Sequence, residues 1–253
     1  MNMNSKPQLI EKTRNGRWYS VAGYDVPSVT TVLQGFKCPH WLMEFMVKQA
    51  GGDPRLLYDK KGEALRVGSL VHESIDKILN GESITLDNDH EAQKALISFM
   101  CFWKKYNPKP FAQEQLLASE EMRDDSLRYG FAGTVDLVAE IDGDLWLCDY
   151  KTSQQLDPEM GLQLSAYKML WDSTHDRKID RLGIVWCKKT FRGQLPAKST
   201  KYLHEFEYSP KDWFCAFKLF QRYCKDTNGV YGPKLKIDYI NEFSLDVIKD
   251  LSI

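Results

Sequence analysis

The chain has 253 residues, of which 43% are hydrophobic and 27% are charged, and its formal net charge is −1. These values are typical of a globular protein with one large domain, and the near-neutral charge gives no general indication of nucleic-acid binding. No apolar run approaches transmembrane length, and the polar N-terminal stretch lacks the apolar segment of a signal peptide. The six cysteines show no C-x-x-C spacing, which disfavours zinc fingers and disulfide frameworks. We therefore expect a cytoplasmic protein of a bacterium or a phage-infected host cell.

The first part of the chain is predicted to contain short strands and a short helix. Residues 1–12 are expected to lack regular structure, whereas the alternation from Arg17 to Val26 indicates β structure. Ser28 is suited to cap a short helix that reaches Leu33, and an aromatic helix is predicted at 39–50. The hydroxyl groups of Ser28 and Thr30 suit contacts with a phosphate as well as helix capping, and the sequence alone does not separate the two roles.

Two longer helices are predicted at 60–79 and 89–106. His72 lies on the apolar stripe of the first, and a single inward-facing histidine is more often a satisfied core residue than a metal ligand. Its candidacy as a ligand therefore depends on acidic residues lying nearby. The proline-rich stretch after the second helix separates a predicted N-terminal portion at 1–110, which contributes His72 to the site, from a core at 111–230. A C-terminal tail is predicted at 231–253.

Two strands are predicted on either side of Asp142-Gly143, a dipeptide that suits a two-residue type I′ turn. In that register Asp136 lies opposite Asp149, on the face that also carries Lys151, because side chains repeat every second residue. Two opposed carboxylates repel each other, so a hard divalent cation is expected between them. The alternative is a solvated strand face with a surface ion pair. The apolar flanks of both strands instead indicate a hairpin inside a sheet, where charges are rarely without function.

Further polar residues are predicted close to this hairpin. A short strand is predicted at 114–121, and its first residue, Glu114, is either an outer carboxylate of the same site or a charge at a strand end. After the hairpin, a helix that begins at Asp157-Pro158 carries Gln163 and Tyr167 one turn apart on its inward stripe, and a buried amide requires hydrogen-bond partners. The remaining predicted elements are a buried parallel strand at 182–187, a second strand at 202–208 and a helix at 210–225.

The region between Arg177 and Lys201 is locally basic. It contains eight Lys or Arg residues and one acid, Asp180. Such a band suits the backbone of a nucleic acid, and a solvated edge of the sheet is the alternative interpretation.

The order of these motifs resembles the PD-(D/E)xK nucleases, and among them the RecB-type exonuclease branch. The matching motifs, within about residues 26–210, are His72, Gly133-Thr134-x-Asp136, Asp149-Tyr150-Lys151-Thr152 and Gln163-x-x-x-Tyr167. The segment Pro27-Ser28-Val29-Thr30 is similar to the corresponding part of the mitochondrial genome maintenance exonuclease and its bacterial and phage relatives. Each motif alone is weak, and their combination in this order is specific.

The resemblance implies an α/β fold with a restriction-endonuclease-like mixed central sheet, flanking helices and a helical N-terminal annex. It implies that Mg²⁺ or Mn²⁺ is held by Asp136, Asp149 and the Tyr150 carbonyl, with His72 as a further ligand or as a close neighbour of the ligands. It also implies that Lys151 orients or deprotonates the attacking water, and that Gln163 and Tyr167 position DNA or the catalytic groups. Some relatives carry an iron–sulfur cluster. We expect none here, because the spacing of Cys187, Cys215 and Cys224 does not fit one.

We therefore expect a Mg²⁺-dependent DNA exonuclease that degrades ends, single-stranded ones above all, in recombination, repair or replication. Within the same superfamily, a structure-specific or flap endonuclease is the alternative. A non-catalytic nucleic-acid-binding module is a second alternative, which the presence of Asp136, Asp149 and Lys151 disfavours. DNA is the expected partner, a single-strand-binding or recombinase protein is a candidate partner, and no membrane is expected.

Overall fold

The computed structural model describes residues 8–13, 16–21, 24–34, 54–86, 89–118, 130–191 and 195–226. The predicted helix at 39–50 and the predicted C-terminal tail lie outside these ranges. No helix within them has both the length and the apolar character needed to cross a membrane.

The N-terminal part begins with a small antiparallel sheet whose strands lie in the order β1, β2, β3. These strands are Gln8–Thr13, Gly16–Val21 and Tyr24–Pro27. The expectation that the chain lacks structure up to residue 12 is wrong for β1, because β1 takes its backbone hydrogen bonds from the neighbouring strand β2. The short helix α1, Val29–Gln34, follows as predicted, with Ser28 Oγ accepting the N–H of Thr31 at 3.0 Å.

Two long helices follow. Helix α2 spans Pro54–Leu79 and helix α3 spans His90–Tyr106. Asp89 caps α3, since its Oδ1 accepts the N–H of Ala92 at 3.0 Å, and α3 ends at Asn107 in a left-handed conformation with φ of 43°. Both helices confirm the prediction, although α2 begins earlier than residue 60.

A five-stranded mixed sheet forms the centre of the protein, in the order β4-β5-β6-β7-β8. Its strands are Lys109–Ala118, Ala132–Ile141, Asp144–Lys151, Arg181–Trp186 and Leu203–Phe206. Strands β6 and β7 are parallel and the other neighbours are antiparallel. Helix α4, Glu159–Thr174, connects β6 to β7, and helix α5, Pro210–Asp226, follows β8. Strand β4 begins at Lys109, before its predicted start at Glu114. The earlier start is possible because an edge strand tolerates Pro110 at the shift in its register.

Helices cover both faces of this sheet. Leu145 and Leu147 of β6 pack into one core with α1, α4 and α5, whereas Cys148 of β6 packs into a second core with α2 and α3. The predicted α/β class, a mixed central sheet flanked by helices, is therefore confirmed. Strand β6 is buried on both faces over most of its length, so polar groups at its C-terminal end lie at the edge of two apolar cores.

The predicted hairpin is confirmed in turn and register. Asp142 and Gly143 both have positive φ, 54° and 92°, as a type I′ turn requires. The pairs of β5 with β6 run from Ile141–Asp144 to Leu137–Cys148. The chain thereby brings the start of β5 and the end of β6 to the same end of the sheet.

Candidate active site

The C-terminal end of β6 carries a buried carboxylate paired with a lysine. Asp149 is buried, and Gln163 Nε2 of α4 donates to its Oδ1 at 2.8 Å. Lys151 Nζ lies 2.5 Å from Asp149 Oδ2 as an ion pair. Burial raises the pKa of Asp149 above its ordinary value, although the Lys151 ammonium opposes the shift. An ionised Asp149 therefore depends on a neighbouring cation.

Asp136 interrupts the ladder between β5 and β6. The regular pairs end at Leu137–Cys148, and the N–H of Tyr150 is donated to Asp136 Oδ2 at 2.7 Å. In a continued ladder this N–H would bond the carbonyl of Val135. Asp136 was predicted to lie opposite Asp149, and its carboxylate instead bonds the backbone of the residue that follows Asp149. The charge of Asp136 contributes to the raised pKa of Asp149.

His72 of α2 contacts both Asp136 and the backbone of β6. Its Nδ1 lies 3.5 Å from Asp136 Oδ1, and its Nε2 donates to the carbonyl oxygen of Tyr150 at 2.9 Å. Burial opposes protonation of the imidazole, but the Asp136 carboxylate outweighs burial and raises the pKa of His72 to about 9. Burial likewise acts against ionisation of Asp136, but His72 and the Tyr150 N–H hold the pKa of Asp136 below its ordinary value. The acidic neighbours that the candidacy of His72 requires are therefore present.

Glu114 of β4 reaches the same place through an unusual backbone conformation. Its φ is 44°, a left-handed value that costs roughly 1–3 kcal/mol for a residue other than glycine and persists only where the surroundings impose it. Ligand atoms of His72, Glu114 and Asp136 lie within 4.8 Å of one another. Burial and the charge of Asp136 raise the pKa of Glu114 to about 7. The structure therefore brings Glu114 together with His72 and Asp136, and its role as an outer carboxylate stays a prediction.

The assembled groups fit a hard divalent cation. Carboxylate and carbonyl oxygens are the ligands that Mg²⁺ and Mn²⁺ prefer, and an imidazole is compatible with Mn²⁺. The feature that favours such an ion is the cluster of His72, Glu114 and Asp136, beside which Asp149 adds a buried carboxylate. The Tyr150 carbonyl accepts one bond from His72 and has a second lone pair for another partner.

Gln163 and Tyr167 form the wall of the site on α4. Besides its bond to Asp149, Gln163 Nε2 donates to the Tyr167 hydroxyl at 3.1 Å. Both side chains are buried, so the buried amide has the partners that it requires. The Tyr167 ring lies against Gly133, where a Cβ atom would be only 2.4 Å from Tyr167 Cε1. The glycine at the start of β5 therefore makes room for the tyrosine that supports Gln163.

Ser28 and Thr30 lie in the N-terminal part of the chain, at the start of α1. The Ser28 hydroxyl is buried and lies 2.7 Å from Thr31 Oγ1 and 3.0 Å from Thr30 Oγ1, in addition to capping the helix. An isolated parallel bridge joins Ser28 to Ala132, the first residue of β5. These contacts explain Ser28 as a cap that anchors α1 to the sheet. A contact of Ser28 or Thr30 with substrate stays a prediction.

One residue beside the site was missed by the sequence analysis. Trp186 was predicted only as part of a buried strand, yet it pairs with Lys151 across β6 and β7. The sequence contained part of the signal, because Trp186 lies near the end of a predicted parallel strand and neighbouring parallel strands end at the same edge of a sheet. Which strand neighbours β6 depends on long-range pairing, which the sequence pattern does not specify.

Comparison with known proteins agrees with this geometry. The profile of the PD-(D/E)XK nuclease superfamily matches residues 38–238, which is most of the 253 residues. A search of curated proteins found no match. The match includes β4 to β8 and α2, and hence Asp136, Asp149, Lys151 and His72. The chain therefore belongs to the PD-(D/E)XK nuclease superfamily.

Proposed function

We propose that the protein is a metal-dependent DNA exonuclease of the RecB-type branch. It would hydrolyse phosphodiester bonds from DNA ends, single-stranded ones above all, in recombination, repair or replication. Membership of the superfamily implies a nuclease. The observation that carries the proposal is the convergence of Asp136, the Asp149–Lys151 pair and His72 at one end of β6.

We assign the metal to Asp136, Asp149, the Tyr150 carbonyl and His72, with Glu114 as an additional carboxylate. A divalent cation at such ligands lowers the pKa of a bound water and polarises a phosphoryl oxygen. In the chain itself, Gln163 fixes Asp149 Oδ1 and the Lys151 ammonium pairs with Oδ2, so both oxygens of the carboxylate are held in place. His72 holds the Tyr150 carbonyl at the edge of the site, so that the carbonyl direction is set before any metal binds.

Lys151 supplies a positive charge to the reacting groups. Its side chain is 24% exposed, whereas that of Asp149 is 4% exposed, so the lysine extends from the buried carboxylate towards solvent. Asp149 and Asp136 outweigh the effect of burial and raise the pKa of Lys151, which keeps it an ammonium in the metal-free protein. A fixed ammonium can orient the attacking water and stabilise the charge that develops on the phosphoryl oxygens.

The elements around the site favour the end of a DNA strand as substrate. Helix α2 borders the site through His72, and the segment around Ser28 is bridged to the start of β5. Flanking elements on both sides would narrow the approach, and a single strand needs less room than a continuous duplex. The RecB-type assignment, the exonuclease activity and the preference for single strands all rest on this reasoning and on the resemblance of the motifs.

Digestion of end-labelled DNA tests the proposal. Linear single-stranded, linear double-stranded, closed-circular and flap substrates are incubated with Mg²⁺, Mn²⁺ or a chelator. We expect products only with metal, only from substrates with an end, and fastest from single strands. Asp149→Asn should abolish cleavage. Asp144→Asn, on the same strand in an exposed ion pair with Arg181, should leave cleavage unchanged.

Each contrary outcome points to a different alternative. Equal cutting of closed-circular and linear DNA would refute an exonuclease, and cutting confined to flap junctions would favour the structure-specific endonuclease. DNA binding without cleavage under any metal would indicate a non-catalytic binding module.

A further inference from the structure

Trp186 ends β7 immediately beside Lys151. The two residues pair in the parallel register of β6 and β7, and the N–H of Cys187 donates to the Lys151 carbonyl at 2.9 Å. Ile184, two residues before Trp186, packs into the core that contains α4. Because side chains alternate along a strand, Trp186 lies on this same face, which is also the face of Asp149 and Lys151. Adjacent strands are about 4.8 Å apart, so the two side chains leave neighbouring positions on one face of the sheet.

The indole is held in position and is only half-buried. Its Nε1 donates to the carbonyl oxygen of Ser153 at 2.8 Å, in the loop that follows Lys151. The ring of His204 meets it edge-on, with centroids 5.4 Å apart and an interplanar angle of 77°. In contrast, Trp171 and Trp213 are fully buried in the core. Trp186 is therefore a rigid aromatic surface that solvent reaches.

A positive charge lies over this surface. Lys188 Nζ is 4.9 Å from the centroid of the Trp186 ring, and the Lys188 carbonyl accepts a hydrogen bond of 2.6 Å from Ser98 Oγ, which fixes the backbone at this residue. Lys188 therefore lies over the indole, and Lys151 is its neighbour in the strand register. Lys188 belongs to the basic band between Arg177 and Lys201, for which the nuclease site itself gives no explanation. A fixed aromatic ring beside a lysine is a combination that binds single-stranded nucleic acids, through base stacking and phosphate contacts.

We propose that Trp186 is a stacking platform for one nucleobase of a single-stranded DNA end, and that Lys188 contacts the phosphate of that nucleotide. This inference rests on the proposed nuclease function and deepens it by naming a residue that selects the substrate. Binding would exchange the ammonium–indole contact, which is weak near solvent, for a base on the indole and an ammonium on a phosphate. Bases inside a duplex already stack on their neighbours, so the platform favours unpaired strands. Because Trp186 adjoins Lys151, the stacked base lies close to the bond that is cut.

A scan with abasic oligonucleotides tests the platform. End-labelled single strands, each lacking one base at a different distance from the end, are digested with Mg²⁺, and KM and kcat are measured for each. For the wild type we expect one position at which loss of the base raises KM on the order of 5- to 100-fold, with a smaller change in kcat. Trp186→Leu should raise KM for the intact strand by a similar factor, and its KM should no longer depend on whether the base at that position is present. Trp186→Phe should retain a reduced response, because a phenyl ring offers less stacking surface than an indole, and an undiminished response would overturn the platform.

Phe111→Leu is the matched control. Phe111 is an exposed aromatic residue with the Arg177 guanidinium 5.9 Å from its ring, but it lies on β4 close to the pairing with the C-terminal part of β5, away from Lys151. Its abasic profile should equal that of the wild type. An unchanged KM in folded Trp186→Leu, or an abasic penalty that persists in it, would overturn the platform.

Two further outcomes are distinguishable. If Trp186→Leu does not fold by circular dichroism, the wild type and Trp186→Phe decide. A flat wild-type profile overturns the platform, and a penalty at one position that shrinks in Trp186→Phe supports it. If the wild type cuts no DNA, the proposed function fails, and the same abasic series measured by fluorescence anisotropy decides whether Trp186 binds a base.

Discussion

Gly133→Ala tests the link between the start of β5 and the wall of the site. A Cβ atom at residue 133 would lie 2.4 Å from Tyr167 Cε1 and 3.2 Å from Cδ1. Carbon atoms in contact are usually 3.5–4.0 Å apart, so the ring has to move by roughly 1 Å. Gly133 is not among the residues with positive φ, so alanine fits its backbone and the expected cost is steric.

The magnitude follows from the surroundings of the ring. Tyr167 is buried, and overpacking a dense core costs about 1–3 kcal/mol. A shift of about 1 Å also breaks the bond of 3.1 Å from Gln163 Nε2 to the Tyr167 hydroxyl, for roughly a further 1 kcal/mol. The total of roughly 2–4 kcal/mol corresponds to a fall in Tm of about 5–15 °C for a chain of this size. Because Gln163 also holds Asp149, we expect DNA cleavage to fall on the order of 100-fold.

Thermal unfolding followed by circular dichroism measures the first effect, and single-turnover digestion of labelled DNA measures the second. Gly62→Ala is the matched control, because nothing lies within 4 Å of a Cβ atom at this exposed position of α2. It should stabilise the protein by about 0.4–1 kcal/mol through the unfolded chain. The double variant Gly133→Ala/Tyr167→Leu should be less destabilised than the sum of its single variants. A Gly133→Ala protein with the Tm and the activity of the wild type would refute the steric argument.

Two further predictions concern the charges of the site. Lys151→Met leaves the buried Asp149 carboxylate without its ion pair, so the metal-free protein should lose roughly 3 kcal/mol of stability. Mg²⁺ should then raise Tm more in Lys151→Met than in the wild type, because the metal replaces the missing positive charge; equal shifts would contradict a metal at Asp149. Burial and Asp136 raise the pKa of Glu114 from 4.5 to about 7, so protonated Glu114 favours the fold and metal-free stability should decline as the pH rises from about 4.5 through about 7. Glu114→Gln should flatten this decline in chemical denaturation, by about 1 kcal/mol at most given the exposure of the side chain, and an unchanged decline would assign it to other groups.

The elements with strong local signals were predicted well from sequence. The Asp142-Gly143 turn specifies its own conformation, and the turn sets the register of the strands that it joins. The apolar period likewise identified helices α2 and α3, and it predicted that His72 faces inwards. Within the site, the alternation along β6 was enough to predict that Asp149 and Lys151 lie together.

Features that depend on partners distant in sequence were less predictable. Strand β1 has little pattern of its own and forms against β2, and β4 extends past Pro110 because it lies at the edge of the sheet. The role of Glu114 stayed open because its left-handed backbone is imposed by its surroundings. Asp136 bonds the backbone N–H of Tyr150, a contact that no strand periodicity specifies.

The most direct test of the account is the metal dependence of cleavage in the wild type and in Asp149→Asn. End-labelled single-stranded DNA is digested with Mg²⁺, Mn²⁺ or a chelator, after circular dichroism has established that both proteins are folded. The account predicts that the wild type releases end-derived products only with a divalent metal, and that folded Asp149→Asn releases none. Cleavage by the wild type in chelator, or cleavage by Asp149→Asn at the wild-type rate, would contradict it.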